Sequence, residues 1–209
     1  MRKKICIFWD SIVRGTGDPE WGGRATRLRL KIESEHQNIQ VFPLGISGNT
    51  TGDLLKRFAV EAVARNPSLI ILSWGINDSK VYSEDKKELM PLQEFVRNYK
   101  ELLRQAKVYT DQIICVWPTC VDETRTLPYG TTTGNWYNFT NQRITTYNTT
   151  IQDIAQENAC MYVDLQGLLT SKELSDGLHP NQEWHMKIYQ YIRDYLSPYL
   201  RKHGWFSEH

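Results

Sequence analysis

Four short polar segments of the sequence carry residue types that together can hydrolyse a carbonyl compound. They supply a hydroxyl, a Gly-rich turn, a side-chain amide and an imidazole near a carboxylate, at residues 10–11, 45–49, 77–78 and 176–179. A serine hydroxyl is a poor nucleophile at neutral pH, and a histidine held in one tautomer by a carboxylate is the usual base that activates it. The set therefore predicts a serine hydrolase that needs no metal or cofactor.

The candidate catalytic residues are Ser11, His179 and Asp176. Asp176 precedes His179 by three residues, and on one helical turn that spacing brings the two Cβ atoms to about 5–6 Å. We therefore expect the Asp176 carboxylate to bind one ring nitrogen of His179 while the other ring nitrogen faces Ser11. In this arrangement Ser11 is the nucleophile, His179 is the general base and Asp176 orients the base.

Three hydrogen-bond donors are candidates for an oxyanion hole: the backbone N–H of Ser11, the backbone N–H of Gly48 and the side-chain amide of Asn77. Preorganised donors of this kind are typically worth about 10²–10³ in rate each. Gly48 has no Cβ to obstruct a substrate, and Asn77 donates without carrying a charge. Asn77 and Asp78 could instead form an ordinary Asx turn. We expect Asp78 to brace the loop.

Other residues compete for the three catalytic roles. Ser47 is a second candidate nucleophile, but its segment lacks the second Gly of a Gly-x-Ser-x-Gly turn, which favours a role in shaping the loop. His185 competes with His179 as the base, although no carboxylate precedes it at the same spacing. Asp164, at the end of a predicted strand, could replace Asp176 as the orienting acid.

Strand and helix patterns alternate along the whole chain and must position these residues. Hydrophobic runs predict five strands, at 4–9, 39–44, 68–74, 112–117 and 161–165. Apolar residues at helical spacing predict helices over 25–34, 54–63, 92–106, 144–154 and 182–200. The run at 68–74 has few polar alternations, which is typical of a parallel strand covered on both faces, so we expect it to be central.

Five strand-helix units indicate an α/β protein with an open parallel sheet and helices on both faces. Such sheets carry their sites at the carboxyl ends of the strands, where the strand order reverses, and the four polar segments follow predicted strands. A long loop at about 118–139 holds Tyr129, Trp136 and Tyr137. We interpret it as a candidate lid whose aromatic side chains stack on sugars, line an acyl groove or only cover a core edge.

Length and composition agree with one globular domain spanning residues 1–209. The chain is 40% hydrophobic and 23% charged, and no Gly/Ser or Pro linker divides it. Lys and Arg number 25 and Asp and Glu 24, which leaves a net charge of +1. With so little net charge, we expect no nucleic-acid or anionic-membrane partner. The expected partner is a small-molecule, glycan or lipid ester.

The N-terminal segment and the cysteines favour a cytoplasmic location. The apolar run at 5–9 ends at Asp10, which is short of the roughly 7–15 apolar residues of a secretory signal. No stretch has the length of a transmembrane helix. The four cysteines form no Cys-x-x-Cys pair, so we expect neither a metal site nor a catalytic thiol among them.

The four polar segments resemble the sequence blocks of the SGNH hydrolases, the GDSL-type esterases and lipases. The matching segments are FWDSIVRG at 8–15, GISGNT at 45–50, GIND at 75–78 and DGLHPN at 176–181. The resemblance implies a three-layer α/β/α, flavodoxin-like fold with a five-stranded parallel sheet. It also implies Ser11 as nucleophile, Gly48 and Asn77 as oxyanion donors, His179 as base and Asp176 as its partner.

The first block departs from the family pattern at one position. Trp9 stands where these proteins have Gly, and an indole there could fill a neighbouring pocket or displace the nucleophile turn. We predict that Trp9 narrows the acyl or alcohol pocket and that the nucleophile stays reactive. Asp10, Asp78, Trp136 and Tyr137 are the other candidate residues of the substrate pocket.

On this basis we predict hydrolysis of short-acyl or acetylated carboxylic esters through an acyl-enzyme. Two other classes remain open. The chain could be a carbohydrate-binding or interaction domain of the same fold that is catalytically impaired around Trp9. It could also be a flavin- or nucleotide-binding protein, although Glu20 occupies the third glycine position of a dinucleotide fingerprint that begins Gly15-Thr16-Gly17.

Overall fold

A five-stranded parallel sheet lies at the centre of the computed structural model, which describes residues 2–73, 76–117, 120–131, 134–165, 167–168 and 170–206, without the side chain of Trp9. The strands in the described residues are β1 (Lys3–Trp9), β2 (Ile39–Gly45), β3 (Leu69–Ser73), β4 (Val81–Tyr82), β5 (Ile113–Val116), β6 (Tyr129–Gly130), β7 (Trp136–Asn138) and β8 (Met161–Val163). The central sheet has the order β2-β1-β3-β5-β8. Counting only these five strands gives the flavodoxin-like order 2-1-3-4-5, as the resemblance implied.

The strand order reverses between β1 and β3, because the chain passes from β1 to β2 on one side and then crosses to β3, β5 and β8 on the other. All five residues of β3 are buried, which confirms the prediction that this apolar run is central. Ser11 follows β1, Gly48 follows β2 and Asn77 follows β3. The carboxyl ends of parallel strands lie at one edge of the sheet, so the fold brings these three residues to the same edge.

Helices cover both faces of the sheet. Their bounds are α1 (Ser11–Arg14), α2 (Gly23–Glu35), α3 (Thr51–Arg65), α4 (Leu92–Ala106), α5 (Glu123–Thr126), α6 (Asn141–Glu157) and α7 (Gln182–Lys202), with a 3₁₀ turn at Ser171–Glu173. Helix α2 packs against α7, while α3 packs against α4 and α4 against α6. Within the described part of the chain, no helix combines the length and apolar character that crossing a membrane would require.

Local sequence signals set the ends of the helices that flank the site. The Thr50 side chain caps α3 by accepting the N–H of Asp53, and the Asp53 carboxylate accepts the N–H of Thr50 in return. This reciprocal pair satisfies two N–H groups that have no partner within the helix. Asn66 ends α3 in the left-handed conformation, and Pro91 immediately precedes α4.

The segment at 118–139 contains regular structure that the sequence analysis treated as a loop. It holds α5 and the strands β6 and β7, and β7 also pairs with β4 to complete a three-stranded antiparallel sheet. Pro118, Thr119, Thr132 and Thr133 lie outside the described residues. The interpretation of this segment as a lid stays a prediction.

Candidate active site

Ser11 lies at the first position of the short helix α1, directly after β1. Asp10 caps this helix, because its Oδ1 accepts the N–H of Ile12 at 2.9 Å. The cap turns the chain sharply at the end of the strand and leaves Ser11 at the helix N-terminus, where backbone N–H groups point outward. The Ser11 Oγ lies 2.8 Å from Nε2 of His179, and Ser11 is only 7% exposed.

His179 is bound on its other side by Asp176, so the structure brings the three predicted catalytic residues into one hydrogen-bonded chain. His179 Nδ1 and Asp176 Oδ2 are 2.7 Å apart. Burial acts to raise the pKa of Asp176, but bonds from the His179 ring and from the N–H groups of His179 and Leu178 outweigh it. The pKa of Asp176 is thereby held well below its usual range, and the carboxylate stays ionised beside the imidazole.

The expected helical turn between Asp176 and His179 is wrong. The segment is a bend, in which Asp176 Oδ1 accepts the N–H of Leu178 at 3.0 Å and the N–H of His179 at 2.8 Å. Gly177 has a φ of +91°, a left-handed conformation that a residue with a side chain rarely adopts. The same spacing therefore brings acid and base together through an Asx-type turn rather than through helical periodicity.

The segment that carries Asp176 and His179 is held from outside by α5. The Arg125 guanidinium donates to the backbone carbonyls of Leu174 at 2.7 Å and Ser175 at 3.1 Å. Ser175 in turn donates its N–H to the carbonyl of His179 at 2.8 Å. These bonds fix the backbone on both sides of the acid-base pair.

Tyr129 of β6 contacts the acid itself. Its hydroxyl donates to Asp176 Oδ2 at 2.8 Å, the same oxygen that binds the His179 ring. Burial has the largest effect on the pKa of Tyr129 and the hydrogen bond to Asp176 the next largest. Both raise this pKa well above its usual value, so the hydroxyl keeps its proton. Tyr129 thus joins the small antiparallel sheet to the candidate catalytic residues.

The three residues that carry the candidate oxyanion donors line one cleft. Asn77 is 5% exposed, and its Nδ2 donates to Asp10 Oδ2 at 3.0 Å, which fixes the amide with its oxygen turned from the carboxylate. Gly48 has a φ of +80°, and a Cβ built on it would meet nothing within 4 Å. Among the described residues, no hydrogen-bond acceptor is paired with the backbone N–H of Ser11 or Gly48.

Asp10 and Asp78 do not line the cleft, in contrast to the sequence prediction that they belong to the substrate pocket. Both are at most 1% exposed. Burial raises the pKa of Asp10 to about 6 and that of Asp78 to about 7. Asp78 Oδ1 accepts from the N–H of Thr51 at 2.9 Å and from its hydroxyl at 2.6 Å. The two carboxylates therefore support the nucleophile turn, the Asn77 amide and the start of α3 from behind.

A cleft of about 630 Å³ opens above Ser11, His179 and Asn77. Tyr137 lines it, but Trp136 does not: it is 58% exposed beside Gly130 on the other face of β7. The rest of the lining mixes apolar and cationic side chains, among them Tyr129, Phe139, Leu178, Arg14 and Lys80. The prediction that Trp9 narrows this space concerns a side chain outside the described residues and stays a prediction.

The rival catalytic residues have other places in the structure. Ser47 lines the cleft, but its hydroxyl accepts from the Arg14 guanidinium at 3.0 Å rather than meeting a base. Asp164 is exposed after β8, and the carboxylate that binds His179 is that of Asp176.

His185 is a buried structural histidine. Its Nδ1 accepts the N–H of Arg24 at 3.3 Å, and its Nε2 donates to the carbonyl of Thr16 at 2.9 Å, which requires a neutral ring. Burial lowers the pKa of His185 to about 4. The residue ties α7 to α2 and to the segment after α1, and it does not take part in the candidate site.

The neutral state of His185 predicts an acid-dependent loss of stability. Its folded pKa of about 4 lies below the ordinary value of 6.5, so between these values the unfolded chain binds more protons. The free energy of unfolding should therefore fall as the pH falls through this window, by about 3 kcal/mol from this residue. We expect His185→Gln, which keeps one acceptor and one donor, to remove this component in urea unfolding between pH 8 and pH 4.

Asp10 and Asp78 act in the opposite sense over the same range, because their folded pKa values are raised. The folded protein binds more protons there, so these two residues lower stability as the pH rises. They are present in both proteins, and the difference between wild type and His185→Gln isolates the histidine. Parallel pH profiles for the two proteins would show that His185 is not neutral in the folded state.

Comparison with known proteins identifies the family. The model of the GDSL-like lipase/acylhydrolase family matches residues 8–187. The chain belongs to this family, and the resemblance of the four sequence blocks is confirmed. A lipase/acylhydrolase from Enterococcus faecalis has the same fold, with a TM-score of 0.75, 21% identity, and 94% of this chain and 95% of that chain covered.

Two curated relatives define the general activity. An acetylxylan esterase of Geobacillus stearothermophilus is 26% identical over 206 residues, covering 88% of this chain and 89% of the relative. A human isoamyl acetate-hydrolyzing esterase 1 homolog is 25% identical over 213 residues, covering 95% and 82%. The chain is a carboxylic ester hydrolase.

Lys80 and Arg14 of the cleft were not predicted from the sequence, and Tyr129 was given too little weight. Tyr129 was noted only as an aromatic of the loop, and its bond to Asp176 joins residues 47 positions apart. Lys80 and Arg14 carry no motif of their own. Their one sequence signal is position, since Lys80 lies three residues after Asn77 and Arg14 three residues after Ser11.

The bond from Tyr129 predicts a specific effect on the pH dependence of the reaction. In Tyr129→Phe, Asp176 loses one donor, so more of its negative charge is available to stabilise the protonated His179 ring. The acid limb of kcat/KM should therefore move to higher pH, and kcat should fall about tenfold because the pair is less well held. The measurement is a pH-rate profile with 4-nitrophenyl acetate.

Tyr82→Phe is the matched control, because Tyr82 lies in the same small sheet without contacting Asp176. This control should keep the wild-type acid limb. If Tyr129→Phe lowers kcat with no displacement of the limb, then Tyr129 only packs against the site.

Proposed function

We propose that this protein hydrolyses acetate and other short-acyl esters through an acyl-enzyme formed on Ser11. The observation that carries the proposal is the continuous chain from Asp176 through His179 to Ser11, with contacts of 2.7 and 2.8 Å. The substrate class is supported by the names of the two relatives, an acetylxylan esterase and an isoamyl acetate-hydrolyzing esterase.

The first half-reaction forms the acyl-enzyme. Ser11 Oγ attacks the ester carbonyl while Nε2 of His179 takes its proton, which leaves the negative charge on the carbonyl oxygen. The backbone N–H groups of Ser11 and Gly48 and the amide of Asn77 are the donors for that oxygen. Collapse of the intermediate breaks the bond to the alcohol oxygen, which leaves with the proton from His179.

The second half-reaction releases the acid. Water attacks the acyl group on Ser11 as His179 takes one of its protons, and the same three donors bind the second oxyanion. Collapse returns the proton to Ser11 Oγ and frees the carboxylic acid. Asp176 stays ionised throughout and stabilises the imidazolium that forms in each half-reaction.

The other two function classes are less well supported. A catalytically impaired binding domain would have no use for a nucleophile, base and acid held at hydrogen-bond distance, and the family comparisons do not favour it. A flavin or nucleotide protein would leave the pairing of Asp176 with His179 without a role.

The proposal is tested with a fluorophosphonate probe and an ester panel on the wild-type protein. We expect one label per chain, mapped by peptide mass spectrometry to Ser11, and a kcat/KM for 4-nitrophenyl esters that declines from acetate through butyrate to octanoate. Xylose tetraacetate and isoamyl acetate then compare the alcohol sides named for the relatives. A label on Ser47, or preference for octanoate, would contradict the assignment or the acyl preference respectively.

A further inference from the structure

Lys80 places a buried positive charge in the wall of the cleft. It is 7% exposed and lines the same cleft as Ser11, Asn77 and His179. Its Nζ lies 4.5 Å from the centroid of the Tyr137 ring, which is also part of the lining. Within the described ranges, no carboxylate oxygen lies within 4.0 Å of Lys80 Nζ, so the ammonium forms no ion pair there.

The nearby carboxylates bind other groups through every oxygen except Asp78 Oδ2, which is buried without a hydrogen-bond partner among the described residues. Asp10 binds the N–H of Ile12 and the Asn77 amide, and the Oδ1 of Asp78 binds Thr51. Asp53, which also lines the cleft, pairs with an exposed lysine of α3 and closes the Thr50 capping box. These three carboxylates act on Lys80 only by electrostatic attraction at longer range, which raises its pKa. Burial has the larger effect and lowers the pKa of Lys80.

The Lys80 ammonium meets solvent only through the cleft, and an ammonium that loses most of its water without a hydrogen-bonded anion is costly. Proteins accept that cost where the charge binds a ligand, because an anionic group of the ligand then replaces the lost water. The face of the Tyr137 ring offsets part of the cost through its quadrupole. The ring holds the ammonium beside the cleft but satisfies none of its three N–H donors.

Arg14 is the other cation of the cleft, and it differs from Lys80 in two respects. Its guanidinium already donates to Ser47 Oγ, and the residue is exposed. Water and salt screen an exposed charge strongly, so its contribution to binding an anion is small. The buried ammonium is therefore the stronger candidate for recognising a charge on the substrate.

We propose that Lys80 is a specificity-determining residue that binds a carboxylate on the alcohol portion of the ester. This inference rests on the proposed function, because an acetyl group has no charge and the anion must then belong to the alcohol. The substrate class is the acetate ester of an acidic alcohol, such as a hydroxy acid or an acidic sugar. A neutral acetate would still react, since the groups that act on the carbonyl do not involve Lys80.

The test compares two aryl acetates that differ in charge at one position, 4-acetoxybenzoate and 4-acetoxybenzamide. We expect Lys80→Met to lower kcat/KM for the benzoate about tenfold more than for the benzamide, mainly through KM. Comparing the loss for each ester between wild type and variant cancels the difference in their intrinsic reactivity. Arg14→Gln should change this ratio much less, and Lys100→Met, which removes an exposed lysine of α4, should leave it unchanged.

A second measurement needs no variant, should Lys80→Met fail to fold. The wild-type protein should be inhibited competitively by 4-hydroxybenzoate at lower concentration than by 4-hydroxybenzamide, and added salt should weaken only the former. Monophenyl adipate against phenyl hexanoate tests the acyl side. If the charge preference appears only there, the anion belongs to the acid and the assignment to the alcohol is overturned.

The outcomes separate this inference from the function on which it rests. If the wild-type protein hydrolyses neither aryl acetate, the proposed function fails. If Lys80→Met lowers kcat/KM for both esters by the same factor, Lys80 is only the counter-charge of Asp10 and Asp78, and the inference fails while the esterase function stands. If Arg14→Gln carries the discrimination instead, the binding residue has been misassigned.

Discussion

Replacing Ser11 with alanine is expected to lower kcat for 4-nitrophenyl acetate by roughly 10⁴-fold or more. The variant keeps the oxyanion donors and the cleft, but no oxygen remains at the position 2.8 Å from His179 Nε2 that could form the acyl-enzyme. Ser11 is small and its side chain takes no part in the cap that Asp10 forms on α1, so the fold should be retained. Steady-state rates, with circular dichroism and thermal unfolding as structural checks, provide the measurement.

A second variant tests whether Ser11 and His179 act as one unit. The double variant Ser11→Ala, His179→Ala should be no slower than either single variant, because each change alone already removes the activated nucleophile. Ser47→Ala is the matched serine control and should keep activity of the same order as wild type. Additive losses in the double variant, or substantial turnover by Ser11→Ala, would remove Ser11 from its proposed role.

Replacing Asn77 with alanine is expected to lower kcat by about 10²–10³-fold with little change in KM. The Asn77 amide is held by Asp10 Oδ2 at 3.0 Å, so its remaining N–H is directed before the substrate arrives. Such a donor stabilises the developing oxyanion more than the neutral carbonyl, and its loss therefore appears in kcat. Kinetics with 4-nitrophenyl acetate at the pH of maximal wild-type activity measure the two constants.

Asn98→Ala is the control for the removal of an amide side chain. Asn98 lies on α4 and donates weakly to Thr51, outside the cleft lining, so its removal should leave kcat near the wild-type value. If Asn77→Ala raises KM and leaves kcat unchanged, Asn77 binds the ground state and is not an oxyanion donor.

Much of the framework could be predicted because it depends on local signals. The five central strands and the five long helices follow hydrophobic periodicity, and their observed ends agree within a few residues where a capping residue such as Thr50 or Asn66 is present. The order of the strands is not a local property. The strand order could be predicted only from the resemblance of four sequence blocks to those of the SGNH hydrolases, each of which follows a strand.

The parts that could not be predicted depend on contacts between distant segments. The short helix α1 comprises only four residues, too few for periodicity to reveal, and it exists because Asp10 caps it. Three residues separate Asp176 from His179, but that spacing does not distinguish a helical turn from an Asx-type turn. The carboxylates of Asp10 and Asp78 were assigned to the pocket because the sequence does not show which side of a loop is buried.

The hydrogen bonds that join Arg125 and Tyr129 to the segment carrying Asp176 have a consequence for engineering. Surface segments are ordinarily the safest place to exchange sequence between related enzymes, because they tolerate change. Here an exchange of residues 123–138 for those of a related enzyme would change the shape of the cleft. The same exchange would impair proton transfer by His179, because it removes the hydrogen bonds of Arg125 and Tyr129. A library that keeps positions 125 and 129 fixed should recover changed selectivity without that loss of turnover.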